Sequence, residues 1–156
     1  MTSIDLGCGN NKISKFFVGI DNHPGAQADV TCDMTNLSMY KDSSVTVVTS
    51  RRAIQHVEDD VQVFREINRI LTPDGVAIIE VASTLNAVVS KTFNRLKIKK
   101  YRYTVFHTYS KSTIKKRVKE GGLKIVTYAK APTKLPFYNH VIIAMKGESG
   151  ENKNTT

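Results

Sequence analysis

Over the first fifty positions, apolar residues come in short runs separated by polar turns, with no helical period among them. Residues 2–6 read as a first strand. Residues 17–21 and 29–33 read as a second and a third, each an apolar run ending in an aspartate. The connection at 10–16 has room for only a turn or two of helix. Val45-Thr-Val-Val-Thr49 is β-branched at nearly every position, which predicts a buried fourth strand. From Val57 the period changes, and Val57, Val61, Phe64, Ile67 (or Ile70) and Leu71 recur every three to four residues. Glu58, Asp59 and Asp60 suit the start of that helix, while Arg65 and Arg69 lie toward its end. Thr72-Pro-Asp-Gly75 stops it and turns the chain into a fifth strand at 76–81.

Beyond residue 82 the pattern is less regular. Residues 83–95 read as a helix and 101–109 as an extended stretch. Ser110 is placed to cap a helix with Ile114 and Val118 inward, ended by Gly121-Gly122. Residues 123–129 and 141–145 would be the last two strands, joined by a loop holding Pro132 and Pro136. Strands alternating with crossovers, then a closing β-loop-β, predict an α/β fold: an open sheet, mostly parallel with one antiparallel edge strand, with helices on both faces. The length supports one domain over residues 1–146, followed by a disordered polar tail at 147–156.

Composition changes this picture little, but charge changes it. Residues 1–90 hold 7 Lys/Arg and 11 Asp/Glu, a net −4, whereas residues 91–156 hold 16 and 3, a net +13. The basic part bears on a partner such as a polyanion, or it is a solvated surface. No apolar run approaches the ~20 residues of a membrane span, and the first residues do not read as a signal peptide. Cys8 and Cys32 make no metal-ligand pattern, so no metal is expected, and a reduced cytoplasmic setting is the default.

The candidate chemistry lies in the acidic part. Three parallel strands would carry Asp5, Asp21 and Asp33 to the carboxyl edge, where open α/β sheets bind ligands, and the first runs into the turn Gly7-Cys8-Gly9. Acids in a row beside a glycine turn suit a cationic, polyhydroxylated nucleoside better than a phosphate. The segments Asp5-Leu-Gly-Cys-Gly9, Gly19-Ile-Asp21, Cys32-Asp-Met34, Ser50-Arg-Arg-Ala-Ile-Gln-His-Val57 and Phe64-Arg-Glu-Ile-Asn-Arg-Ile-Leu-Thr-Pro-Asp-Gly75 follow in order. Together they resemble the signature of the class I S-adenosylmethionine-dependent methyltransferases, from Ser3 to about Lys146. The resemblance implies a Rossmann-like sheet, methyl transfer, and S-adenosylmethionine as cofactor. Under it, Gly7, Cys8 and Gly9 let the backbone approach the methionine part. Asp5 faces the cofactor's amino group, directly or through water. Asp21, with Asn22 beside it, accepts both ribose hydroxyls. Asp33 accepts from the adenine amine, the Met34 N–H meets the ring, and Ser50 offers a backbone carbonyl.

The same likeness puts Arg51 and His56 on the acceptor side, although a capping or packing role suits His56 better than a catalytic one. No catalytic residue is assigned, because displacement at a sulfonium gains much of its rate from alignment. Ser50-Arg51-Arg52 is not the Asn/Asp-Pro-Pro-aromatic segment of enzymes that methylate amino groups of adenine or glutamine. No Pro-Cys nucleophile or Lys-Asp-Lys-Glu set is evident either, which leaves oxygen or nitrogen acceptors. Residues 91–109 interleave cations with rings, and Lys97, Lys99, Lys100 and Tyr101 would suit single-stranded nucleic acid. A small-molecule or protein acceptor stays open, as does an amphipathic lid.

Three departures accompany the likeness. Asn11 replaces the third glycine, only 15 residues separate Asp5 from Asp21, and the usual helix before the first strand is not seen. These predict an unusually open cofactor site, completed in one reading by a partner chain. Two rival functions are a non-catalytic nucleoside-binding module and a nicotinamide oxidoreductase. The second is disfavoured by the incomplete glycine fingerprint.

Overall fold

The computed structural model describes residues 2–85, 88–89, 104–133 and 137–147. One seven-stranded sheet runs β3-β2-β1-β4-β5-β7-β6. Its strands are β1 (Ser3–Leu6), β2 (Val18–Asp21), β3 (Val30–Thr31), β4 (Val45–Arg51), β5 (Leu71–Ala82), β6 (Lys124–Pro132) and β7 (Tyr138–Met145). β1 pairs in parallel with β2 and β4, and β4 with β5. Only β7 is reversed, and it lies between β5 and β6, so the antiparallel pairing forms that end of the sheet. From β1 the chain steps outward to β2 and β3, then returns to β4 on the other side. A crevice opens where the order reverses in this way.

Strand alternation decides which side is the core. Ile4, Val48, Ala77, Ala144 and Ile125 stand in one cross-strand row on the same face. The first four are fully buried. Over them pack Val63, Phe64, Ile67 and Ile70 of helix α1 (Asp60–Ile70) and Ile114 and Val118 of helix α2 (Lys111–Glu120). Each such side chain contributes roughly 1.5–3 kcal/mol of burial. The two helices approach closely because Gly121 follows α2. A Cβ there would lie 2.2 Å from the Phe64 Cβ.

On the opposite face, Thr49, Ile78 and Ile143 form a matching row, and Ile78 keeps 38% of its surface exposed. Over β1 and β2 this face is covered by the first crossover, residues 10–16, which forms turns and no helix at all. Helices α1 and α2 therefore share the core face.

The boundaries differ from expectation for identifiable reasons. α1 itself starts within the acidic run expected to open it, at Asp60: Asp59 caps it by accepting from the Gln62 N–H at 2.9 Å, and a 3₁₀ turn (Ile54–His56) precedes it. Leu71 already pairs with Val45, and the next pair is Val47 with Val76. Residues 72–75 thus bulge out of β5 instead of preceding it. β3 stops at Thr31, which leaves Asp33 two residues beyond its end. β6 runs to Pro132, where a proline is tolerated on an edge strand. Ser110 caps α2 as its position implies, accepting from the Thr113 N–H at 3.2 Å. Most of the helix expected at 83–95 lies outside the described residues, as do residues 101–103. Beyond them, Tyr109 forms a parallel bridge with Ser83. No helix among the described residues is long and apolar enough to cross a membrane.

A lysine closes the far end of α1. Lys146, just past β7, donates to the Asn68, Arg69 and Leu71 carbonyls at 3.0, 3.0 and 2.8 Å. These are the acceptors that a helix leaves unpaired at its carboxyl end.

Candidate active site at the carboxyl edge of the sheet

The turn after β1 requires its glycines, each for its own reason. Gly7 has φ +67°, and a Cβ on it would lie 2.1 Å from the Ala53 Cβ. Gly9 has φ +54°, but a Cβ there would meet nothing within 4 Å. Gly7 is thus held against the loop after β4, while Gly9 borders open space. The Gly7 N–H donates to the Ile20 carbonyl at 2.7 Å and the Gly9 N–H to Asp21 Oδ2 at 2.9 Å, tying the turn to β2.

The three acids diverge in role. Asp5 is 1% exposed, and both its oxygens face the protein. Oδ2 accepts from the Ile13 N–H at 2.9 Å and Oδ1 from the Thr49 hydroxyl at 2.7 Å. Its carboxylate anchors the loop at 10–16, which stands in place of a first helix. Asp21 is half-buried at the end of β2 and accepts from Gly9 N–H and, through Oδ1, from the His23 N–H at 2.8 Å. Each oxygen retains a lone pair. Asp33 is exposed, with Oδ1 taken by the Thr35 N–H and hydroxyl at 2.8 Å each. Among the described residues, Asp33 Oδ2 and the Met34 N–H have no hydrogen-bond partner. Asn22 is exposed beside Asp21.

Asp29, not singled out in the sequence, completes the frame. Its Oδ2 accepts from the Gly19 N–H at 2.7 Å and pairs with Lys12 at 2.5 Å. The hydrogen bond from Lys12, with that from Gly19, holds its carboxyl below the usual range. Its only signal in the sequence was its place before a strand. Burial, followed by the charges of Asp21 and Asp5, pushes the Cys8 thiol up. It stays protonated, in keeping with a turn filler.

Across the crevice, Ser50 does not reach the surface. It is fully buried between Leu6 and Ile79, with no hydrogen bond to its hydroxyl, and the exposed end of β4 begins at Arg51. Arg51 reaches back to donate to the Asn11 carbonyl at 2.5 Å, spanning the glycine loop and β4. Arg52 adopts φ +53°, a left-handed conformation a non-glycine residue rarely takes. His56 meets the Thr104 carbonyl through Nδ1 at 2.7 Å. The Gln55 carbonyl receives the N–H groups of Phe106 and His107 at 3.0 and 3.2 Å. The segment at 104–109 is thereby clasped to the acceptor side. Beneath it, the buried Tyr109 hydroxyl donates to Asp60 Oδ2 at 2.9 Å, and burial together with the Asp60 charge pushes the tyrosine well above its ordinary value. Neither Gln55 nor the Asp60–Tyr109 pair stood out in the sequence. Lys97, Lys99, Lys100 and Tyr101 lie outside the described residues. Among the described residues no cluster of acids, histidines and cysteines could hold a metal.

The edge thus offers a glycine cradle beside open space, one acid at the end of β2, a second in the turn just past β3, and a free N–H next to the second. These groups fit the nucleoside and amino-acid parts of S-adenosylmethionine. Comparison with known proteins agrees. A family profile described as a methyltransferase domain matches residues 4–79. No curated protein matches the chain. Among solved structures, a chain of the complex between the Haloferax volcanii Trm112 methyltransferase activator and a methyltransferase is similar, at 19% identity and TM-score 0.70. That match covers 96% of this chain and 83% of the other. A Methanosarcina mazei S-adenosylmethionine-dependent methyltransferase is similar at 15% identity and TM-score 0.72, over 94% and 92% of the two chains. So is a Clostridium acetobutylicum S-adenosylmethionine-dependent methyltransferase, at 13% identity and TM-score 0.67, over 94% and 84%. At such identities the structural matches speak for the fold, and the profile speaks for the domain. Residues 4–79 thus match a methyltransferase domain, and the chain has the fold of S-adenosylmethionine-dependent methyltransferases, with a loop as its first crossover.

Proposed function

We propose that the chain methylates an oxygen or nitrogen atom of an acceptor presented at the β4–β5 edge, and that Asp21, Asp33, the Met34 N–H and the Gly7–Gly9 turn hold S-adenosylmethionine. The observation that carries the reading is the unengaged Asp33 oxygen and Met34 N–H, one strand end from Asp21 and beside the open space at Gly9. Asp21 receives the ribose hydroxyls on lone pairs not used by Gly9 and His23. Bound there, the cofactor supplies an electrophilic methyl group on sulfur. The protein aligns that group with the acceptor and excludes water from the line of attack. Arg51, bridging to Asn11, positions the glycine turn from the acceptor side. His56 lines the same side, held by its contact with Thr104.

A partner chain over the cofactor belongs to this reading. Ile13 and Phe16, in the loop that replaces the first helix, are 43% and 81% exposed, an apolar surface a helix would otherwise supply and bury. The similar Haloferax methyltransferase is found in complex with an activator protein. Isothermal calorimetry with S-adenosylmethionine and S-adenosylhomocysteine tests the site. Saturable binding of both, with none of NAD, supports it, and the reverse pattern overturns it.

A further inference from the structure

Residues 110–132 hold seven Lys/Arg and a single acid, Glu120. That acid is engaged by Lys116 at 3.7 Å, and Arg117 turns inward to Asp60 at 3.5 Å. Three other cations take up a different arrangement. The Lys111 and Lys115 ammoniums stand 5.0 and 5.2 Å from the centre of the Tyr128 ring, and Lys130 stands 4.4 Å from that of Tyr138. Both rings are fixed through His140, which is 1% exposed. The Tyr128 hydroxyl meets His140 Nδ1 at 2.9 Å, and Tyr138 packs edge-on against the imidazole with centres 5.3 Å apart.

The result is a row of three ammoniums over two anchored rings, carried by α2, the edge strand β6 and its neighbour β7. Among the described residues no carboxylate lies within 4 Å of any of the three. Gathering like charges without counter-ions works against folding. Holding them over ring faces limits their motion and prepares them for an outside anion. The row also has a direction. β6 runs with the parallel strands, so Lys130 lies near the sheet's carboxyl edge, three strand spacings or about 14 Å from β4.

We propose that this row binds the phosphate backbone of a single-stranded nucleic acid. Such strands are held by cations that track the backbone, and these three are held in place by the rings beneath them. That the bound strand is the methyl acceptor, running from the row toward the β4–β5 edge, rests on the function proposed above.

The test uses the full chain and a fluorescent twelve-nucleotide oligouridylate or oligothymidylate, read by anisotropy at about 50 mM salt. The row variant is Lys111→Glu/Lys115→Glu/Lys130→Glu. Its control carries the same charge change elsewhere, Lys41→Glu/Arg65→Glu/Lys124→Glu. A milder row variant, with glutamine at the same three positions, covers the case in which reversal prevents folding. The row variants should lose at least tenfold in affinity while the control stays within threefold. Removing three phosphate contacts should also lower the salt slope by about 2. Equal loss in row and control variants overturns the proposal, since net charge alone would then explain binding. So does wild-type protein that binds neither oligonucleotide yet binds polyglutamate or anionic vesicles. S-adenosylhomocysteine affinity, measured in parallel, should not change in the row variants. If the wild type fails to bind it, the methyltransferase site is what fails, and the oligonucleotide result still decides the row.

Discussion

Two aspartates at neighbouring strand ends, Asp5 and Asp21, have the same sequence context and opposite fates. Asp5 is enclosed by the Ile13 N–H and the Thr49 hydroxyl, whereas Asp21 keeps lone pairs toward the crevice. Substitution should separate them. Asp21→Ala should weaken S-adenosylhomocysteine binding by ~1.5–3 kcal/mol, the range for hydrogen bonds to a charged group, as read by calorimetry on folded protein. Asp5→Ala removes the acceptor of the Ile13 N–H and the shorter of the Thr49 hydroxyl's two bonds, and should appear chiefly as a lowered denaturation midpoint. An Asp21→Ala protein with unchanged affinity would overturn the assignment. Gly7→Ala should cost several kcal/mol of stability, because the new methyl would occupy the place of the Ala53 Cβ and the backbone would keep φ +67°. Adding Ala53→Gly should restore part of that loss, since it removes the severe clash and leaves the strain and a tight contact with the Met34 side chain. Of this detail, the glycine turn and the acids of β2 and the next turn were legible as a pattern. Which acid becomes covered depends on how the loop at 10–16 folds back, and that is a tertiary matter no local pattern encodes.

At the level of elements, strand cores and helix caps were readable because each rests on a few neighbouring residues. Ser110 and Asp59 are side chains whose geometry is set within three positions. The bulge at 72–75 and the length of β6 depend on what pairs alongside, so the local turn residues misplaced them. The Lys146 cap is longer-range still, joining the last strand to the end of α1. Lys146→Met should cost ~1.5–3 kcal/mol in chemical denaturation, because charge-assisted bonds to three carbonyls are lost together. The closing hairpin should also be acid-sensitive. Burial, with Lys130 nearby, holds His140 below its ordinary value of 6.5. As the pH falls below that value the unfolded chain binds a proton that the folded chain refuses, so stability present above it is lost. Denaturation midpoints should fall between pH 7 and 5, and His140→Gln should flatten that slope.

Taken whole, the molecule separates its charges, with the acids around the crevice and the cations on the α2–β6 side. The fold class was legible because alternating strands and crossovers admit few topologies. The helix-free first crossover was legible only as a shortage of residues. Phe16, 81% exposed within it, should be replaceable by serine with less than about 0.5 kcal/mol change in the stability of the isolated chain. A larger destabilisation, measured by urea denaturation, would show that the loop packs on itself and needs no partner. The reversed strand carries a consequence for synthesis. Among the described residues β6 has no neighbour except β7, which follows it in the chain, and β5 also waits for β7 on that side. During translation the crevice-forming strands β1 to β5 can pair as they emerge, while β6 stays without a ladder until residues 138–145 leave the ribosome. A nascent chain held with β5 outside the ribosome and β7 still inside would therefore carry a nearly complete cofactor site with the β5 edge open, an arrangement prone to pairing with other nascent chains.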